Sequence, residues 1–173
     1  MVQRAAWLER RFSLDLPISM FPNVLERLRG TPARVADRIR GLPDDVLRKR
    51  SGESWSILEN IGHLVQAESL WLLRLDDYDA GLEALRPADM TNRATEESKY
   101  NEAEPDALLE TFRQARRGLV GRLEALDEQG AARSAHHPRL NRPMRVLDLM
   151  VFAAEHDDHH LVRITELLRQ AGA

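Results

Sequence analysis

The chain has 173 residues, a length that fits one domain (residues 1–173) with room for a full hydrophobic core. Apolar residues make up 43% and charged residues 31%, with a net charge of -3 and both signs interspersed, so no basic stripe marks a nucleic-acid surface. There are no cysteines, which excludes disulfides, thiolate ligands and a cysteine nucleophile; any metal must be an ion suited to nitrogen and oxygen donors, such as Zn, Ni, Fe(II) or Mn.

Near the N-terminus, Arg4, Glu9, Arg10 and Arg11 surround a short apolar patch with no long hydrophobic segment behind it. That pattern is neither a secretory signal nor a membrane span, so the cytoplasm is the expected location and no membrane partner is expected. Strand signals are almost absent, and what repeats is helical spacing in four blocks.

The first block runs from about Phe21 to Ile39, with Val24, Leu25, Leu28, Val35 and Ile39 on one face. Gly30-Thr31-Pro32 interrupts it, and Thr31 as N-cap with Pro32 at the first helical position predicts a kink or restart. Gly41 closes the block. Ser56 followed by Glu59 reads as a capping box and opens the second helix, which carries Ile57, Ile61, Leu64, Trp71 and Leu75 to about Asp79. Residues 82–104 are polar and weakly periodic, a long and partly helical connection. Pro105 opens the third helix, with Leu108, Leu109, Phe112, Leu119, Leu123 and Leu126 in period and Gly130 as its end. A loop with His136, His137 and Pro138 follows, and Pro143 opens a fourth helix that continues to about Gln170. Four amphipathic helices pack most simply as an all-α four-helix bundle, and the long connection between helices two and three leaves room for a crossover.

Three of the six histidines crowd into Glu155-His156-Asp157-Asp158-His159-His160. Residues four apart on a helix lie one above the other, about 40° apart around the axis, so His156 and His160 can aim two imidazoles at one ion. Both fall on or beside the apolar stripe of Leu149, Ala153, Ile164 and Leu167. His159 falls on the polar side with Asp148 and Glu155, as a surface residue or a support to the site. A third ligand must come from elsewhere, and His63 sits beside the apolar face of the second helix. Glu68, close to the same face, could be a ligand, an orienting acceptor or a general base. Three neutral imidazoles would leave positions open for water or substrate. From spacing alone a plainer reading stands beside this one: His63 as a hydrogen-bonded core residue, D-D-H-H as a solvated run, and His136 and His137 as ordinary loop residues.

Several segments in order, L-E-R-R-F-S-L-D-L-P-I, E-R-L-R-G-T-P-A-R, W-S-I-L-E-N-I-G-H-L-V-Q-A-E-S-L-W and E-H-D-D-H-H-L-V-R-I, resemble the DinB-like superfamily. The likeness is to its branch of metal-dependent hydrolases and bacillithiol-type S-transferases. The resemblance implies a crossover four-helix bundle with a divalent metal on His63, His156 and His160. It also implies a small-molecule substrate, a low-molecular-weight thiol as cosubstrate, and a homodimer. Asn141-Arg142-Pro143-Met144-Arg145 departs from the glycine and hydroxyl residues common at that point of the family, which leaves the substrate open. On these grounds the expected function is metal activation of a nucleophile, with thiol transfer slightly ahead of amide or ester hydrolysis. A non-catalytic metal-binding bundle is the alternative.

Overall fold

The computed structural model describes residues 4–172. Two 3-10 turns, Trp7–Glu9 and Ile18–Met20, lead into helix α1 (Phe21–Ile39), and the short α2 (Asp44–Arg48) follows. Helix α3 (Ile57–Asp79) begins at the predicted capping box: Ser56 Oγ accepts from the Glu59 N–H at 3.1 Å, and Glu59 accepts from the Ser56 N–H at 2.8 Å. Residues 80–104 form the long connection and contain α4 (Arg93–Glu97) and a 3-10 turn at Tyr100–Glu102. Helix α5 (Pro105–Glu124) and the short α6 (Glu128–Ala132) precede a hairpin of β1 (Ser134–His137) and β2 (Arg142–Arg145). Helix α7 (Val146–Ala171) ends the chain. No helix among the described residues is long and apolar enough to cross a membrane.

The four long helices form the expected bundle. Helix α1 packs against α5 and α7, and α3 packs against the same two. The successive pairs α1/α3 and α5/α7 therefore face each other across the diagonals, which a simple up-and-down bundle does not do.

Three local expectations need correction. The third helix ends at Glu124 rather than Gly130, because the chain breaks before α6, where the Asp127 carboxylate accepts from the Gly130 N–H at 2.7 Å. The fourth begins at Val146 rather than Pro143, because residues 142–145 pair antiparallel with 134–137, Pro143 opposite His136. Strands of four residues are too short to show a period. Helix α1 runs unbroken through Pro32. A proline inside a helix orphans the carbonyl four residues back. Here that carbonyl, on Leu28, accepts from Arg116 Nη1 of α5 at 2.7 Å.

Arg116 belongs to a polar layer that crosses the bundle. On α1, Thr31 lies between Leu28 and Val35; on α5, Arg116 lies between Phe112 and Leu119; on α7, His156, Asp157 and His160 lie between Ala154 and Leu161. The apolar core is split accordingly. One cluster holds Leu28, Trp71, Leu119 and Met150, and the other holds Val35, Leu64, Phe112 and Leu161.

Candidate metal centre

His63 of α3 and His156 and His160 of α7 meet in this layer. One ring nitrogen from each lies within 4.8 Å of the others, and His63 Nε2 is 3.2 Å from His156 Nε2. Tetrahedral zinc with Zn–N bonds of 2.0–2.1 Å would set its imidazole nitrogens about 3.3 Å apart. The spacing fits a small divalent cation.

Hydrogen bonds fix which nitrogen is free in two of the three rings. His160 Nδ1 lies 2.9 Å from Asn60 Oδ1, an atom that only accepts, so Nδ1 carries the proton and Nε2 keeps its lone pair. Asn60 is held in that sense because its amide nitrogen donates to the Ser56 carbonyl at 2.7 Å. His63 Nδ1 lies 2.9 Å from Thr95 Oγ1, whose hydroxyl donates to Gln66 Oε1 at 2.7 Å. Gln66 in turn donates to Ala94 O and Ser98 Oγ, so its oxygen is the acceptor. His63 therefore donates from Nδ1 and presents the Nε2 lone pair to His156 Nε2. Only a proton or a cation between those two nitrogens reconciles them. His156 Nδ1 is buried without a hydrogen-bond partner among the described residues.

The site is also electrically ready for a cation. Burial, with a smaller effect from His159, pushes the His63 imidazole down to about 4. Burial and the neighbouring imidazoles hold His156 and His160 well below the usual histidine range. All three rings are neutral at pH 7, so a metal need not displace a proton. Trp55 packs its ring 4.8 Å from His63 and 6.3 Å from His160, covering one side of the cluster. The rings open on a cavity of about 810 Å³ that runs between Trp55, Thr95, Trp71, Phe152 and Arg139.

The structure places the other sequence-selected residues as follows. Glu68 is 1% exposed and gives both carboxylate oxygens to Arg116, with Nε at 3.0 Å from each. It does not line the cavity and is not in the histidine group. Arg116 also reaches Asp157 Oδ2 at 2.6 Å, and Asp157 Oδ2 accepts from Thr31 Oγ1 at 2.7 Å, so one guanidinium joins all four long helices. Burial pushes the Glu68 carboxyl up to about 7 despite the guanidinium beside it. His159 is not on the solvent side as expected. It is partly buried beneath the N-terminal segment, with Nε2 3.2 Å from Arg4 Nη1 and its ring 5.5 Å from Trp7. His137 is 1% exposed and lines the cavity, so it is no ordinary loop residue; His136 pairs with Asn141 at 3.0 Å outside it.

Sequence reasoning missed Asn60 and Thr95. A buried Asn three residues before His63, inside a helix it disfavours, was a readable sign. Thr95 lies in the aperiodic connection and offered none.

The model of the DinB superfamily matches residues 27–164. Among solved structures, the chain is similar to YfiT from Bacillus subtilis, described as a probable metal-dependent hydrolase with an unusual four-helix bundle topology. That match has a TM-score of 0.80 at 21% identity and covers 95% of this chain and 94% of that one. It is also similar to a mycothiol-dependent maleylpyruvate isomerase, with a TM-score of 0.66 at 15% identity over 86% of this chain and 60% of that one. A protein from Streptococcus pneumoniae matches with a TM-score of 0.65 at 13% identity, over 91% of each chain. No curated protein sequence matches at a significant level.

Proposed function

The chain belongs to the DinB superfamily, and on that premise we propose that it is a metal-dependent enzyme whose divalent ion sits on His63, His156 and His160. The observation that carries this reading is the convergence of three imidazoles, two of which, His160 and His63, are fixed by Asn60 and Thr95 with their Nε2 lone pairs inward. Three neutral protein ligands leave room for a further one, the pattern of catalytic rather than structural sites. A divalent cation held there would bring the proton of a thiol or water ligand off near neutral pH. Trp55 screens the cluster from bulk water, and Asn60 and Thr95 hold the rings. The role assigned to Glu68 is to hold Arg116 in the polar layer, not to move a substrate proton.

Transfer of a low-molecular-weight thiol to an electrophilic small molecule is the leading reaction. The cavity supplies no buried carboxylate base, since its lining carboxylates, Glu53 and Asp89, are exposed. A thiol, far more acidic than water, needs less help. Amide or ester hydrolysis is the second reading. It is favoured by the likeness to YfiT, described as a probable metal-dependent hydrolase. The test is elemental analysis of protein purified without a nickel column, followed by assays with thiols plus an alkyl halide and with ester or amide substrates. Wild type is expected to carry a divalent ion and turn over thiol and halide, and His160→Ala to lose both. A metal-loaded protein with no thiol-dependent or hydrolytic turnover would leave only a binding role.

A further inference from the structure

The end of the cavity beyond His156 has more hydrogen-bond donors than acceptors. Arg139, in the turn between β1 and β2, has Nε and Nη2 buried without a partner, and the Trp71 indole Nε1 is in the same state. Arg74, 2% exposed, donates to the Arg86 carbonyl at 3.1 Å and faces His137 Nε2 at 3.1 Å. His137 Nδ1 also faces the Leu140 N–H at 3.2 Å. A neutral imidazole has one lone pair, so His137 cannot accept from both. At least one more N–H is therefore left over.

The charges are equally one-sided. Among the described residues no carboxylate lies within ion-pair distance of Arg74 or Arg139. Asp77 is taken by Arg86 and Asp148 by Arg145. Arg139 is stacked instead on Trp7 and Phe152, 5.4 Å and 5.2 Å from their ring centres. Buried cations and donors left without acceptors are costly, and a protein keeps them where a ligand completes them. The missing partner is an acceptor-only anion, and the planar guanidinium fork suits a carboxylate. Trp7, Leu70, Met90 and Phe152 add apolar surface to the cavity wall.

We propose that this end of the cavity is a carboxylate-binding subsite, in which Arg139, with Arg74 and the Trp71 N–H, holds the acid group of a small apolar-bodied substrate. The substrate's reacting end then faces the three histidines. That last clause rests on the proposed function, whereas the binding of the acid does not.

The test is calorimetric titration of zinc-loaded and chelator-stripped protein with 3-phenylpropionate, its amide and inorganic phosphate. The acid is expected to bind about tenfold tighter than the amide in both forms, a difference of about 1.4 kcal/mol. Arg139→Gln, in a turn outside the bundle core, should abolish that preference while metal content and melting temperature hold. Trp71→Phe, which keeps the ring and removes the N–H, should weaken the acid several-fold and serves as the second variant. Equal affinity for acid and amide, no binding of either up to about 10 mM, a stronger response to phosphate, or an unchanged preference in Arg139→Gln would each overturn the subsite. Metal loss with the acid preference intact would instead sink the metal reading alone.

Discussion

Replacing Arg116 by Met probes the layer that positions the site. The guanidinium is 2% exposed, spans Glu68 on α3 and Asp157 on α7, and caps the Leu28 carbonyl that Pro32 leaves free on α1. Breaking a buried ion pair by removing one partner costs about 3–5 kcal/mol, because the other charge stays behind. For a protein of this size that is a fall of roughly 6–20 °C in melting temperature. The loss should also depend on pH. Burial already raises the Glu68 carboxyl, and without the guanidinium that lowers it the group rises further, so the folded variant binds more protons than wild type as pH falls. The destabilisation should therefore be smaller at pH 6 than at pH 8. Urea melts of chelator-stripped wild type and variant at both pH values read it; Arg116 also holds the His156 imidazole down, so its loss acts on that ring in the same direction. A loss under about 1 kcal/mol, or one that grows as pH falls, would refute the reasoning.

Metal-free protein should weaken in acid. Burial pushes the His63 imidazole down to about 4 in the folded chain, from an ordinary value of 6.5. The unfolded chain therefore binds more protons between those values, and stability present above pH 6.5 is lost as pH falls; at pH 5.5 this one residue contributes a loss of about 1.4 kcal/mol. His156 and His160 act in the same direction, and chemical melts from pH 7.5 to 5 check the sum. Asn60→Ala and Thr95→Val should weaken zinc about 10- to 100-fold in competition with a chromophoric chelator while leaving the fold intact, because each frees a ligand ring to turn. Gly62→Ala should destabilise by about 1–3 kcal/mol in spite of better helix propensity. The added Cβ would fall 2.2 Å from the Tyr100 ring and displace the connection that carries Thr95, which a thermal melt and the zinc competition would both register.

The histidine cluster was legible in part through helix geometry: a four-residue spacing on α7 and a face position on α3 nominate His63, His156 and His160, and the family resemblance selects them over the plainer reading. The long helices and the Ser56–Glu59 cap were readable for the same reason, being local. What escaped depends on distant contacts. Pro32 looked like a break because its remedy, Arg116, lies 84 positions away in sequence and on another helix. Glu68 looked available for chemistry because sequence spacing places it near the buried face but cannot reveal the guanidinium that occupies it. His137 looked like an ordinary loop residue because nothing local says that a hairpin of two four-residue strands folds it onto the cavity.

Zinc titration of wild type and of four single alanine variants, at His63, His156, His159 and His160, tests the centre most directly. One ion per chain should bind wild type and His159→Ala with similar affinity, and each of the other three variants should lose at least about 1.4 kcal/mol, or tenfold. Equal weakening in His159→Ala, or full affinity in any one of the other three, would contradict the assignment.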